Sequence, residues 1–375
     1  MKHWLYSDSL TASEEFADVG GLLSASYRFP ANDEVSAREI AVQIASGQTL
    51  GFLSDDRVYA HYLGRILSVE HEADQAHATI GFPGHLCGSD VAGILTLAFG
   101  KISFFPKIKL CDLDGDEVFL KKFKGPKFGF HGIQEKLFNP QFPALMAILK
   151  PGIGPLPLIA ENFAALMGAG VDIVKDDEIC IDSSLDKTLK RLATLSKLCP
   201  PGKIYVQHLT APAHQLLNSA VTLQENGAKA FLFCPLTFGW SALQDLCQSP
   251  AVHVPIFVHP ALAGIYGEGI AYSLLLGKLM RWAGADAVLY PSPYGSIALQ
   301  KTTALSIHAE LLDGNYRLKQ VASVPSAGIT TKDVARIAQD FGRDVIVNAG
   351  TGMAKGFKNL AEGVGKFRDE ISKHF

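Results

Sequence analysis

The sequence predicts an α/β protein, a C-terminal (β/α)8 TIM barrel preceded by a small α+β, ferredoxin-like domain. Three observations carry this. Eight short apolar runs lie beyond residue 136, and most are separated by a segment of helical period. Each run ends in a polar or glycine-containing turn, as strands feeding a barrel rim do. The first 135 residues instead mix helical stretches with strands that alternate apolar and polar side chains, the pattern of a half-solvated antiparallel sheet. The boundaries are therefore residues 1–135 for the α+β domain and 136–375 for the barrel.

In the first domain, Ala37 to Ser46 reads as an amphipathic helix and Ile66 to Ile80 contains an alternating strand pattern. Val91 to Phe99 is helix-like, and Ile108 to Leu113 alternates again. Phe123-Lys124-Gly125-Pro126-Lys127-Phe128-Gly129 is the join. The barrel strands begin with Ala144–Leu149, Val171–Val174, Ile204–Val206 and Ala230–Phe233. Pro255–Val258, Ala287–Tyr290, Val321–Val324 and Val345–Val347 follow. Ser184 to Leu198 and Leu274 to Ala283 are examples of the intervening helices. Eight such units over about 230 residues match the size of a TIM barrel.

Composition narrows the function. With 375 residues, 48% of them hydrophobic, the chain is long enough for two packed domains. A net charge of -3 provides no basic field for nucleic acid or an anionic membrane. The apolar runs are far too short to span a bilayer, and the start of the chain turns polar and acidic at once, unlike a signal peptide. Six scattered cysteines without CxxC spacing are expected to be buried free thiols in a cytoplasmic protein.

Barrel chemistry sits at the carboxyl ends of the strands. The second strand ends in Lys175-Asp176-Asp177-Glu178, four ionisable groups where an apolar run meets the rim. Charges there need partners or a metal. Strand periodicity puts Lys175 and Asp177 on one face and Asp172, Val174 and Asp176 on the other. Glu178 joins the first group as the chain turns. Two carboxylates are few ligands for Mg2+, which favours oxygen donors. A lysine carbamylated by CO2 would supply another; otherwise the group is a salt-bridge cluster. Lys150 ends the first strand, His208 the third and His259 the fifth. Small residues after the last two strands, Ser326, Gly328, Gly350 and Thr351, suit a backbone phosphate site or plain turns. No P-loop, GxSxG or HExxH is present.

The run Gly170-x-Asp172-x-x-Lys175-Asp176-Asp177-Glu178 resembles the metal motif of the RuBisCO large-chain superfamily. Leu149-Lys150-Pro151, Val258-His259-Pro260, Pro325-Ser326-Ala327-Gly328-Ile329 and Asn348-Ala349-Gly350 fall in the family's order. Phe99-Gly100-Lys101-Ile102-Ser103 and Pro291-Ser292-Pro293-Tyr294-Gly295-Ser296 look like the form IV, RuBisCO-like branch of methionine salvage, the 2,3-diketo-5-methylthiopentyl-1-phosphate enolases. The resemblance implies a Mg2+-dependent keto-enol tautomerase. Lys175 would be the carbamylated lysine and Asp177 and Glu178 its fellow metal ligands. Lys101 would be the general base, Lys150 and His259 active-site residues, and Ser326, Gly328, Gly350 and Thr351 the phosphate contacts. It also implies a cytoplasmic homodimer whose partner is a small phosphorylated diketone.

Departures from the carboxylases imply that CO2 is not fixed. Gly152 stands where they have a second lysine, Pro260 where they have an arginine and Leu289 where they have a histidine. Ser296 replaces the mobile-loop lysine, and Lys278 lies in the preceding helix. Thr351 to Gly356 departs from the enolases, which have a longer glycine run with a histidine, and Gln207-His208-Leu209 differs as well. Alternatives are therefore an isomerase or decarboxylase of another phosphorylated ketose, or a non-catalytic binding protein.

Overall fold

A computed structural model of the chain describes residues 5–53, 57–137, 143–181, 184–314 and 317–375. They form two compact units: residues 1–124 with 263–275, and residues 125–262 with 276–375.

The first unit is built on a four-stranded sheet of β1 (Leu22–Pro30), β2 (Arg65–Glu72), β3 (Gln75–Pro83) and β4 (Lys109–Gly115), in the order β2-β3-β1-β4. Every neighbouring pair is antiparallel. With one helix, Glu34–Gly47, between β1 and β2 and another, Val91–Leu95, between β3 and β4, this is the expected ferredoxin-like arrangement. Strand β1, one of the two inner strands, has no counterpart among the sequence expectations, and neither does the helix Ser9–Phe16. The strand's buried positions Leu23, Ala25, Tyr27 and Phe29 alternate with Ser24, Ser26 and Arg28, so the period is there, diluted by small residues. The segment Ala263–Leu275 joins this unit through a bridge from Ile270 to Leu110 and a 2.9 Å bond from Ala271 N–H to the Leu110 carbonyl.

The second unit is the barrel. Its strands are β5 (Ala144–Ile148), β6 (Ile173–Lys175), β7 (Ile204–His208), β8 (Ala230–Phe233), β9 (Ile256–Val258), β10 (Ala287–Pro291), β11 (Ala322–Ser326) and β12 (Ile346–Ala349). All eight lie on the predicted runs. Neighbours pair in parallel from β12 through β5 to β11, and a parallel bridge from Ser323 to Val345 brings the two end strands together. Alternate residues fill the interior: Met146, Ile173, Val206, Leu232, Phe257, Leu289, Val324 and Ile346 share one cluster with Phe130 and Ile133. Those two come from the short helix Gly129–Gln134, which closes one end of the barrel.

Asp286, at the head of β10, fastens that helix. Its buried carboxylate accepts bonds from the backbone N–H groups of Phe128 (2.8 Å), Gly129 (2.8 Å) and Ile256 (2.9 Å). Burial raises its pKa while the three amides pull the other way. Asp286→Ala leaves three buried donors unanswered and is expected to cost about 3–5 kcal/mol, read as a lower denaturant midpoint in equilibrium unfolding. A change under 1 kcal/mol would refute the fastening role.

Candidate active site

Extending the interior period by one step past the apolar layers places Lys175, His208, His259, Ser326 and Asn348 at the carboxyl ends of their strands. Lys175 is 1% exposed, so its ammonium has lost its water. The Nζ donates to the Asp176 carbonyl at 2.9 Å and lies 4.0 Å from Glu178 Oε2. Burial pulls its pKa below the usual lysine range, against the opposing pull of Glu178, Asp177 and Asp176.

Asp177 and Glu178 turn to the same side and share a hydrogen bond. Burial pushes both carboxyls up. For Asp177 the bonds from Glu178 and from Lys150, whose Nζ is 3.1 Å from Oδ2, prevail and hold it below the ordinary carboxylate range. Glu178 ends above its usual value, from burial first and from Asp177 second. His259 Nε2 lies 3.3 Å from Glu178 Oε2. The contact has the geometry of an ion pair, but burial, with Lys175 and His208 nearby, lowers the imidazole pKa to about 3. His259 is therefore held neutral, with Nε2 facing Glu178 and Nδ1 buried without a partner.

Asp176 points the other way, as the strand period requires. It accepts from Arg191 Nη2 (2.5 Å), Tyr205 Oη (2.8 Å) and the His208 N–H (3.0 Å). Arg191 lies on the helix Leu185–Ser196 and also donates Nη1 to the Gly152 carbonyl at 3.0 Å. Asp176 is thus a structural anchor, whereas Asp177 and Glu178 face Lys150 and His259. The His208 ring bonds the Cys180 carbonyl through Nδ1 at 3.2 Å and faces Cys234 Sγ through Nε2 at 3.6 Å. Arg191 and Tyr205 carried no sequence signal, because an arginine on a helix and a tyrosine in a strand acquire this role only through packing.

On the opposite side, β11 and β12 bring Ser326 and Asn348 together. Asn348 Nδ2 donates to Ser326 Oγ at 2.9 Å, and that hydroxyl donates to the Val324 carbonyl at 2.8 Å. Asn348 Oδ1 is buried without a partner. Gly328 follows Ser326 in a turn with φ of +91°, and Gly350 leads into the 3-10 turn Thr351–Met353. Lys101 belongs to the first unit. It caps the π-helical turn Thr96–Gly100 and lines a cavity of about 240 Å3 with Ile40, Ile44, Ile102, Phe105 and Ile108.

Among the described residues no group of three or more His, Cys, Asp or Glu side chains is arranged to hold a metal. The donor set fits Mg2+ only with Lys175 as a contributor, and the fit is good on those terms. Two adjacent carboxyl groups in hydrogen-bond contact are an arrangement that a cation relieves. Beside them stands the buried Lys175 nitrogen, where burial favours the neutral form that combines with CO2.

No family model matches the chain. Among solved structures, a rubisco-like protein from Alicyclobacillus acidocaldarius superposes with a TM-score of 0.86 at 32% identity, covering 94% of this chain and 93% of that one. The octameric RuBisCO of Pyrococcus horikoshii superposes at 0.85 with 23% identity, covering 94% of this chain and 88% of that one, a likeness of fold. The class is thus the RuBisCO-like enzymes. The 2,3-diketo-5-methylthiopentyl-1-phosphate enolase of Bacillus mycoides is 37% identical over 372 aligned residues, spanning 91% of this chain and 89% of the relative. The same enzyme from Exiguobacterium sibiricum is 36% identical over 366, spanning 93% and 92%. The chain belongs to the RuBisCO-like 2,3-diketo-5-methylthiopentyl-1-phosphate enolase family.

Proposed function

We propose that the protein is a Mg2+-dependent enolase that converts 2,3-diketo-5-methylthiopentyl 1-phosphate into 2-hydroxy-3-keto-5-methylthiopentenyl 1-phosphate in methionine salvage, without fixing CO2. The observation that carries the reading is the buried Lys175 amine beside Asp177 and Glu178, in a chain more than a third identical to the enolases.

Lys175 as its carbamate, Asp177 and Glu178 would hold the metal. Bound Mg2+ supplies Lewis-acid polarisation of the substrate carbonyls. The remaining work falls to side chains. Lys101 takes a proton from C1, a double bond forms between C1 and C2, and a proton returns to the C2 oxygen, so atoms and electrons balance. Lys150, 47% exposed, keeps Asp177 ionised and offers its ammonium to an anionic oxygen. Neutral His259 has an unpartnered Nδ1 to bond a hydroxyl. Ser326, Gly328, Gly350 and Thr351 bind the phosphate through hydroxyl and backbone N–H groups. The test is incubation with the diketone phosphate and NMR identification of the product. Absence of the enol, with an active relative as positive control, refutes the assignment.

Packing after β5 supports the exclusion of carboxylation. A Cβ at Gly152 would lie 2.5 Å from Cys180 Sγ, so the space where carboxylases hold a second lysine is taken by the thiol. Incubation with ribulose bisphosphate and labelled CO2 is expected to give no acid-stable label above background, and Gly152→Lys is expected not to confer it. Label incorporated by the wild type would overturn this. The active form is proposed to be a cytoplasmic homodimer, expected in light scattering at twice the 40.3 kDa chain mass; a peak at the single-chain mass contradicts it. Among the described residues no helix is long and apolar enough to cross a membrane.

A further inference from the structure

The loop that follows β10 carries Ser296 where a carboxylase has its mobile lysine, and here it is bolted down. Ser292 N–H donates to the Ser326 carbonyl at 2.9 Å, continuing the ladder past the strand. Tyr294 then swings its ring towards the helix Val334–Phe341, where its hydroxyl donates to Asp340 Oδ2. Asp340 is only 10% exposed and pairs through Oδ1 with Lys301 at 2.8 Å, so its charge is held in place from a second side. The Arg336 guanidinium lies 5.6 Å from the centre of the Tyr294 ring. Fixed at Tyr294, the chain passes directly over the turn after β11. Ser296 N–H donates to the Ala327 carbonyl at 2.8 Å. Gly295 approaches so closely that a Cβ there would stand 1.9 Å from that same oxygen. Ala327 is a non-glycine residue in the left-handed region, φ +73°, followed by Gly328 at +91°. Glycine takes this conformation freely, but Ala327 is strained in it, so the turn needs outside support to persist.

We infer that Tyr294, acting through its bond to Asp340, is a positioning residue for phosphate recognition: it clamps Gly295 and Ser296 onto Ala327 and so holds the Ser326–Gly328 turn in its anion-binding shape. The inference rests on the reading of that turn as the phosphate site. It gives the β10 loop a fixed, supporting part in place of a closing one, and it accounts for the glycine at 295, where any side chain would break the contact.

The test uses the full chain and two probes, inorganic phosphate by calorimetry and the diketone phosphate in steady-state kinetics. Tyr294→Phe keeps the ring over Arg336 and removes only the hydroxyl. It is expected to weaken phosphate binding and raise KM about tenfold, the worth of one hydrogen bond to a charged group, with kcat within twofold. Asp340→Ala is expected to do the same. The double variant should be no worse than either single one, since each breaks the same clamp. A merely structural role would lower the melting temperature and leave the phosphate affinity of the folded protein alone. Unchanged phosphate affinity and KM in folded Tyr294→Phe overturns the inference. Weakened phosphate binding in a protein whose wild type does not enolise the diketone upholds the clamp and refutes the proposed substrate instead.

Discussion

Lys175→Ala is expected to reduce enolisation on the order of 10²–10³-fold and to abolish any stimulation by bicarbonate. The Lys175 side chain is buried at the rim and has no solvent to support a charge. Burial favours its neutral form, the one that would attack CO2: a nitrogen–carbon bond forms as one C=O π bond opens, one proton leaves the nitrogen, and a neutral amine becomes an anionic carbamate. That change would turn a neutral amine beside two carboxyl groups into a set of three oxygen-donor groups able to hold a divalent ion. Alanine leaves Asp177 and Glu178 as a lone pair in hydrogen-bond contact, too poor a donor set for tight Mg2+ binding. Calorimetric titration with Mg2+, with and without bicarbonate, checks this apart from turnover. The wild type should bind more tightly with bicarbonate, and Lys175→Ala weakly in both conditions. Tight, bicarbonate-independent binding by the variant would remove Lys175 from the ligand set.

Lys101→Ala is expected to lower kcat by about 10²–10⁴-fold, the span of a general base, while leaving Mg2+ affinity and the melting temperature as they are. The side chain is exposed at the end of a π-helical turn, so its removal opens no packed core. A primary amine added to the assay should restore part of the rate, because the cavity it lines can admit one. Activity near wild type in Lys101→Ala would transfer the proton abstraction to another group. Loss of Mg2+ binding in Lys101→Ala would instead make the residue part of the metal site.

These two lysines differ in how far the sequence announces them. Lys175 is visible in residues alone, because four charged side chains at the end of Val171–Val174 contradict the burial of the strand they finish. Period two even separates Asp177 from Asp176, and the structure turns Asp176 to Arg191 and Tyr205 as that period demands. Lys101 carries no such contradiction; only resemblance singles it out. The eight barrel strands were legible because parallel strands, covered on both faces, must be apolar throughout. Strand β1 was not, since serine and alanine at three of its nine positions weaken the contrast on which alternation depends. The attachment of Ala263–Leu275 to the first unit was also hidden, because a bridge such as Leu110 to Ile270 joins residues far apart in sequence. The neutrality of His259 belongs to the same class: its type and place are in the sequence, but its desolvation is a property of everything packed around it.

The pairing of β12 with β5 has a consequence for biosynthesis. The strand that closes the barrel, with Ile346 opposite Ala144 and Ala349 opposite Ala147, is the last one made. Until it leaves the ribosome, β5 keeps an open edge of unpaired N–H and C=O groups beside the nascent Lys175 cluster, an invitation to wrong partners. Asn348 arrives on that same strand and delivers the bond to Ser326. Formation of the Asn348–Ser326 bond and sealing of the vulnerable edge are therefore a single late event. A chain truncated before Ile346 should emerge as a sticky client of chaperones and not as a weak enzyme.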